Sequence, residues 1–270
     1  MIAILQAIHA IWQRDVHKFL RDRAQLVGSI SRPLLWVVIM GIGLNPYFRA
    51  ETFGQVRFAV PYTYLQFIFP GVIALNVMFG AMQAATSVIA DREYGFAQML
   101  GTSPPPRWAI LLGKVLGGTT IATFQGMIVL LLAPTVDLQI GLAQALLGLC
   151  AIAGFAFAMS CFAIYLATRT TSFEGFGLFS NAVILPIYFT SNAMFPIDPA
   201  IGAAQARAIF PEWLVLMVEM NPVTYITDLF RGVFIGFQSY TTAGSVWVLV
   251  ISSAFFFTLA WRRFLRAQQV

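Results

Sequence analysis

Side chains that could act as nucleophiles, general bases or metal ligands are few in this sequence, and they are widely separated. His9 and His17 are its two histidines, and both precede the first long apolar run, so no Ser/His/Asp or Cys/His arrangement is readable. Cys150 and Cys161 are eleven residues apart, which separates them by roughly 16 Å along a helix and excludes a disulfide between them. The sequence therefore predicts no catalytic residue, no metal site and no cofactor bound by this chain.

The Gly113-Lys114 pair is the place to look for a phosphate-binding loop. Such a loop has the form GxxxxGK[ST], in which glycine amides and the lysine surround the phosphates. Here Val115 follows the lysine and the earlier glycine is missing. We therefore expect that this polypeptide does not hydrolyse ATP by itself.

The elements that must position any functional residue are strongly apolar. The sequence is 59% hydrophobic and 10% charged, and its mean hydropathy is +0.79, which exceeds what an ordinary soluble domain carries. A helix needs about 20 apolar residues to cross roughly 30 Å of hydrocarbon, whereas a barrel strand alternates over about ten. Six apolar runs of helical length occur, at residues 33–48, 64–90, 108–134, 142–168, 176–195 and 244–261. They predict an all-α integral membrane protein in which residues 1–270 form a single domain of six transmembrane helices.

Positive charges predict the orientation, because Lys and Arg are retained on the cytoplasmic side of short loops. With both termini inside, twelve cations fall on the cytoplasmic side and four on the outer side. The inner set is Arg14, Lys18, Arg21, Arg23, Arg32, Arg92, Arg107, Lys114, Arg169, Arg262, Arg263 and Arg266, and the outer set is Arg49, Arg57, Arg207 and Arg231. This asymmetry predicts a multi-pass protein of the inner (cytoplasmic) membrane with both termini in the cytoplasm. It also attributes the net charge of +5 to topology rather than to nucleic-acid binding.

The first segment, residues 1–26, has the pattern of an amphipathic helix. Apolar residues recur on one face, whereas Arg14, Lys18 and Arg21 lie on the other. The apolar face consists of Ile4, Leu5, Ile8, Trp12, Val16 and Phe19. This pattern predicts a helix that lies along the cytoplasmic membrane surface. A plain anchor and a docking platform for a partner fit the segment equally well.

The cores of the six runs carry no ionisable side chain. Such groups cost about 2.5 to 3.5 kcal/mol at a helix centre and mark function when present. Lys114 lies near the cytoplasmic edge and can extend its ammonium to the interface. The polar side chains inside the runs are amides, which more often hydrogen-bond neighbouring helices than bind ligands. They are Gln66, Asn76, Gln83, Gln125 and Asn181. The sequence therefore disfavours a gradient-driven carrier.

The connection between the second and third runs, DREYGFAQMLGTSPPPRWAILLGK, is unusually rich in charge and proline. Residues 92–100 predict a short cytoplasmic helix, and Pro104 to Pro106 end it because proline lacks the amide donor. The next helix restarts at Arg107 or Trp108. The short helix carries the apolar residues Tyr94, Phe96, Met99 and Leu100 beside the charged residues Asp91, Arg92 and Glu93. It is suited to transmit force from a soluble partner, and a structural turn is the alternative.

The outer connection, residues 196–243, contains apolar pieces that are too short to cross a bilayer. They predict a re-entrant hairpin before the last helix and the cytoplasmic tail, residues 244–270; an ordinary folded loop is the alternative. Asp228 and Arg231 are three residues apart on one helix face, so they are spaced to pair and pin the hairpin. Elsewhere, Gly113-x-x-x-Gly117 permits close helix approach, for which intrachain packing is the more common use.

Two groups of residues resemble the type-2 ABC transporter permeases, a six-span family of drug, lipo-oligosaccharide and polysaccharide exporters. The first group is Glu93-Tyr94-Gly95-Phe96-Ala97-Gln98-Met99-Leu100, Pro104, Arg107 and Leu111-Leu112-Gly113-Lys114, which is similar to the family's cytoplasmic loop and third-helix entry. The second is Asn221-Pro222-Val223-Thr224-Tyr225 with Asp228 and Arg231, which is similar to the signature ahead of the last span. The number and order of helices agree too, so the resemblance covers essentially the whole chain.

The resemblance implies a dimer of permease chains bound to two separate cytoplasmic ABC ATPase subunits, which would hold the ATP and magnesium. Residues 91–101 would form the coupling helix within the transmembrane region 33–195. The coupling residues would be Asp91, Arg92, Glu93, Tyr94, Gly95, Phe96, Met99, Leu100, Pro104 and Arg107. The interface helix, with Trp12, Arg14, Lys18 and Arg21, would be the second contact. The outer hairpin would be built on Asn221, Pro222, Tyr225, Asp228 and Arg231.

The cargo is predicted from the Phe-rich and uncharged transmembrane runs, which contact membrane lipids. They favour a hydrophobic or amphipathic cargo, such as a drug, lipid or glycolipid, that leaves the cytoplasm or the inner leaflet. Polysaccharide is an alternative, because aromatic rings stack on sugars. A passive channel or a structural membrane subunit is the alternative of a different class.

Overall fold

A computed structural model of the chain describes residues 2–43, 63–95, 105–170, 172–194 and 210–267. These residues form helices joined by turns, and no strand occurs among them. The prediction of an all-α protein is therefore confirmed over this part of the chain.

The helices of the described residues are labelled in chain order. They are α1 (Ile2–Arg21), α2 (Arg23–Leu35), α3 (Tyr64–Glu93), α4 (Arg107–Leu130), α5 (Leu142–Ala167), α6 (Phe173–Phe189), α7 (Glu212–Met220), α8 (Pro222–Phe234) and α9 (Thr242–Ala267). A π-helical stretch, Trp36–Ile42, continues α2, and a 3-10 turn, Ala133–Val136, follows α4.

Local sequence explains where several of these helices begin. Asp22 accepts a hydrogen bond from the amide of Gln25 and so caps α2. Thr63 and Gln66 form a reciprocal capping box that starts α3. Each cap satisfies amides that have no partner inside the helix, which fixes the helix start.

Three helices among the described residues are long and apolar enough to cross a membrane, namely α3, α5 and residues Thr242–Phe264 of α9. They correspond to the predicted runs 64–90, 142–168 and 244–261, and they make this an integral membrane protein. The 17-residue α6 is apolar but shorter. Part of the run 33–48 lies outside the described residues, so the count of six transmembrane helices stays a prediction.

The core is built around α3. In its most apolar stretch 83% of the residues are buried, against 17% in that of α9. Helix α3 packs against α4, α5, α6 and α8, whereas α9 packs against α5 and α8 and leaves Trp247, Ile251 and Phe255 exposed. An apolar helix face without protein neighbours is suited to contact lipid. Both ends of α3 meet buried polar clusters.

Candidate functional site

Lys114 of α4 is buried between two carboxylates. Its Nζ lies 2.6 Å from Oδ2 of Asp91, at the end of α3, and 3.3 Å from Oδ2 of Asp15, on α1. It also lies 2.9 Å from the hydroxyl of Ser87, to which it donates. The side chain is only 2% exposed. The prediction that Lys114 extends its ammonium to the interface is therefore wrong, because ion pairing keeps it inside the protein.

Arg14 joins the same two carboxylates from the other side. Its Nη2 is 2.9 Å from Oδ1 of Asp15 and 2.9 Å from Oδ2 of Asp91. Burial alone would lower the pKa of Arg14, but the hydrogen bond to Asp91 and the charges of both carboxylates raise it above its ordinary value. Two cations thus face two anions, as buried charges require. We call Arg14, Asp15, Asp91 and Lys114 the buried ion cluster.

The approach of α1 to α4 depends on two glycines. A Cβ atom at Gly113 would lie 2.9 Å from the Cβ of Ile11, and one at Gly117 would lie 3.3 Å from the Cβ of Asp15. Side chains at these positions would push α1 away from α4. The Gly113-x-x-x-Gly117 pattern is therefore used for packing within the chain.

Helix α1 runs beside α4 in the same direction. Following the contact of Ile11 with Gly113, Trp12 donates to the hydroxyl of Thr120 at 2.9 Å. Further along both helices, the rings of Phe19 and Phe124 meet with centroids 6.1 Å apart. This contact extends over roughly three helical turns. A position of α1 flat on the membrane surface stays a prediction.

The four predicted residues of the interface helix have different surroundings. Trp12 contacts α4 and Arg14 belongs to the buried ion cluster, whereas Lys18 and Arg21 are exposed. The last two are thus the most accessible of the four to a partner or a lipid head group.

The predicted coupling residues at the end of α3 also separate into two groups. Asp91 is in the buried ion cluster, and Arg92 donates to the carbonyls of Ala167 and Thr170 at 3.3 and 3.5 Å, at the end of α5. Glu93 is exposed, and Tyr94 is 80% exposed. The first pair holds the end of α3 to its neighbours, which leaves the second pair accessible to a partner.

Gly95 ends α3 because it adopts a left-handed conformation, with φ at 72°. The amide of Tyr94 donates to Ala90 and that of Gly95 donates to Arg92, which is a helix-terminating turn. Among the described residues no atom lies within 4 Å of a Cβ built at Gly95, so the conformation of this residue accounts for the glycine.

The predicted short helix over residues 92–100 is therefore interrupted at Gly95, since residues 92 and 93 belong to the last turn of α3. Phe96, Met99, Leu100 and Pro104 lie outside the described residues, and Arg107 is the first residue of α4. The role of residues 91–101 as a coupling helix stays a prediction.

Arg231 of α8 lies at the other end of α3 and is 1% exposed. Its Nη2 donates to the carbonyls of Asn192 and Ala193 at 2.5 and 3.4 Å, and its Nε donates to that of Phe67 at 3.4 Å. Its guanidinium carbon also lies 3.9 Å from the centroid of the Phe67 ring. The arginine thus fastens α8 to the first turn of α3 and to the turn that follows α6.

Asp228, one turn earlier on α8, is fully buried. Its carboxylate accepts hydrogen bonds from the amides of Ser239 and Tyr240, at 2.9 and 3.0 Å. These bonds fix the turn between α8 and α9. The predicted pairing of Asp228 with Arg231 stays a prediction, and each side chain has backbone partners of its own.

The residues Asn221 and Pro222 join α7 to α8. The side chain of Asn221 accepts from the amide of Val223 at 2.9 Å, which caps α8, and it donates to the carbonyl of Ile187 at 2.6 Å. Pro222 occupies the first helical position, where its missing amide has no cost. The hydroxyl of Tyr225 donates to the carbonyl of Glu219 at 2.9 Å. Helices α7 and α8 thus form a pair of short helices. Insertion of this pair into the membrane stays a prediction.

Sequence reasoning did not select Asp15, Ser87 or Asn192. For Asp15 a signal existed, because it lies on the same helix face as Ile8, Ile11 and Phe19, and an acid on an apolar face needs a buried partner. Ser87 and Asn192 gave no signal, since their partners are distant in the sequence.

Comparison with known proteins agrees with this arrangement. Residues 6–235 match the ABC-2 type transporter family. The inner membrane transport permease YadH of Escherichia coli is 23% identical over 268 residues, covering 94% of this chain and 93% of YadH. The putative transport permease ycf38 of Cyanophora paradoxa is 24% identical over 235 residues, covering 84% of this chain and 73% of the relative. The probable multidrug ABC transporter permease YbhR of Escherichia coli is 26% identical over 201 residues, covering 71% and 50%.

Proposed function

Because this chain belongs to the ABC-2 type transporter family, we propose that it is the permease subunit of an ATP-driven exporter of hydrophobic or amphipathic molecules. The chain carries no phosphate-binding loop, so ATP and magnesium belong to separate cytoplasmic ATPase subunits. A second copy of the permease completes the complex in the cytoplasmic membrane, with both termini in the cytoplasm.

The observation that carries this proposal is the buried ion cluster. It joins α1, the last turn of α3 and the first turns of α4, and so it lies beside the exposed end of α3 where a partner would act. Removing one partner from a buried ion pair is strongly destabilising, by about 3 to 5 kcal/mol. The three helix segments therefore move together when the loop is displaced.

The exposed side chains beside this cluster provide the contact with the ATPase. Glu93 and Tyr94 are exposed at the end of α3. Movement of the ATPase is transmitted from these residues to α3, α4 and α1. Asp91 and Arg92 are partly buried and bound to neighbouring helices, which makes them part of the transmission rather than of the contact.

The opposite end of α3 closes the transport route. Arg231 and Asp228 fix α8 against α3, the turn after α6 and the start of α9. In this proposal α7 and α8 form a re-entrant cap on the outer side. Exposed apolar residues of α7, including Trp213 and Met217, support contact with lipid or with a second copy.

The apolar surfaces support an amphipathic cargo, and the relative YbhR, named a probable multidrug ABC transporter permease, agrees with such a class. The test is to express the chain with its ATPase, reconstitute both in vesicles and measure ATP-dependent movement of a fluorescent amphiphile. We expect movement that requires both ATP and the permease. Movement that is independent of ATP would instead identify a passive channel, and the absence of any bound ATPase would identify a structural subunit.

A further inference from the structure

Arg32 of α2 lies against the middle of the apolar helix α3. Its guanidinium carbon is 4.2 Å from the centroid of the Phe79 ring, and Phe79 lies at the centre of Tyr64–Glu93. Its Nη1 is buried and has no hydrogen-bond partner among the described residues. A buried charged nitrogen without a partner is costly, which makes it a candidate ligand-binding group. Packing alone does not account for this arginine.

Polar side chains of α3 and α4 lie next to the same region. Asn76 donates to the carbonyl of Gln125 at 2.7 Å and to that of Ser29 at 3.4 Å. Gln125 in turn donates to the side-chain oxygen of Gln83 at 3.0 Å. The side-chain oxygens of Asn76 and Gln125 are buried and accept no hydrogen bond within the described part of the chain. Such unsatisfied acceptors cost free energy unless a ligand or water supplies a donor.

These groups lie close together on α2, α3 and α4. Ser29 and Arg32 are one turn apart on α2, and Asn76, Phe79 and Gln83 follow one another at about one turn on α3. Arg32, Phe79 and Gln83 are partly exposed, whereas the two remaining amides are buried. Arg32 and Gln83 are therefore the polar groups of this set that a ligand would contact first.

We propose that Arg32, Asn76, Gln83 and Gln125 bind the head group of an anionic amphiphile that carries hydroxyl groups beside its negative charge. The guanidinium supplies a charge-assisted donor to a phosphate or carboxylate. The amide oxygens accept from hydroxyl groups. The exposed apolar side chains on α2 next to Arg32, Ile30 and Leu34 among them, contact the tail.

This inference rests on the proposed transport function, for which it narrows the cargo to anionic amphiphiles. Phosphatidylglycerol has the required chemistry, since it combines a phosphate with glycerol hydroxyls. Phosphatidylcholine lacks both the net charge and the hydroxyls. Soluble glycerol 3-phosphate carries the head-group chemistry without a tail, so it separates a lipid from a free anion.

The test measures binding of these three probes to the purified full chain in detergent, by native mass spectrometry. Arg32→Gln is compared with Arg23→Gln, which removes an exposed arginine from the same helix. We expect the unaltered chain to prefer phosphatidylglycerol over both other probes. Arg32→Gln is expected to weaken that binding about tenfold, as for the loss of one charge-assisted hydrogen bond, and Arg23→Gln is expected to leave it unchanged.

Equal losses in the two variants would overturn the site, because they would show attraction by surface charge alone. Equal binding of glycerol 3-phosphate and phosphatidylglycerol would overturn the amphiphile assignment. If Arg32→Gln does not fold, Arg32→Lys serves instead, since it keeps the positive charge but loses the planar guanidinium and its paired donors. Unchanged binding of phosphatidylglycerol in Arg32→Lys would also contradict the proposal. No ATPase takes part in this assay, so its failure leaves the permease function standing, and a failure of ATP-dependent transport leaves the binding result standing.

Discussion

The Nζ atom of Lys114 lies 2.6 Å from Oδ2 of Asp91, and this contact joins the beginning of α4 to the end of α3 across the loop that separates them. Asp15 and Arg14 add α1 to the same junction. The end of α3 and the beginning of α4 are therefore held together, and in the proposed function this junction transmits a displacement at the end of α3 to the other helices.

Removal of Lys114 should destabilise the protein strongly. Lys114→Met leaves two carboxylates facing one cation, and we expect a loss of about 3 to 5 kcal/mol in the free energy of unfolding. Asp15→Leu in the same chain restores the balance of charge and should recover part of that loss. Denaturant unfolding in detergent measures both effects, and Lys18→Met, at an exposed position, is the control. Similar stability of Lys114→Met and Lys18→Met would show that the buried ion cluster does not hold these helices together.

Substitution of Gly95 tests whether its conformation matters. Gly95→Ala should lower stability by about 1 to 2 kcal/mol, because a left-handed conformation is unfavourable for residues with a Cβ. Gly95→Asn should cost less and Gly95→Val more, since asparagine tolerates this conformation and β-branched residues do not. Gly28→Ala is a matched control, because within the described part of the chain Gly28 also has no atom within 4 Å of its Cβ position but lies in α2 with ordinary helical φ. A smaller effect at Gly95 than at Gly28 would contradict the explanation.

The contacts of α8 predict the outcome of changes at Asp228 and Arg231. Asp228→Asn keeps only one acceptor oxygen for two backbone amides, so we expect a loss of about 1.5 to 3 kcal/mol. Arg231→Lys loses the planar contact with Phe67 and should also destabilise the protein, whereas Arg262→Lys, at an exposed position, should not.

Exchange of the two charges separates backbone contacts from mutual pairing. Asp228→Arg with Arg231→Asp places a donor where backbone amides require an acceptor, so we expect no recovery of thermal stability or of transport. Recovery to the level of the unaltered chain would show that the two side chains act mainly on each other.

The sequence predicts those features that depend on local pattern. The long apolar runs identify α3 and α5 to within a few residues, because continuous hydrophobicity over 20 or more positions has few alternatives. Asn221 and Pro222 likewise indicate the start of α8, since both residue types are favoured there.

Features that depend on distant partners are not readable in this way. The sequence of α1 has the same amphipathic pattern whether its apolar face contacts lipid or α4. Only the fold shows that α1 packs against Gly113 and Gly117. The burial of Lys114 depends on Asp15, which is 99 residues earlier in the chain.

The central claim is that the end of α3 receives force from a separate ATPase through its exposed residues, and charge reversal at Glu93 tests it most directly. The permease is purified with its ATPase, and both the retained ATPase and its cargo-stimulated hydrolysis are measured. Glu93→Lys is compared with Glu212→Lys, an exposed acid at the start of α7; neither change should alter stability by more than about 0.5 kcal/mol. We expect retention or stimulated hydrolysis to fall in Glu93→Lys alone. Normal retention together with normal stimulated hydrolysis in Glu93→Lys would contradict the account.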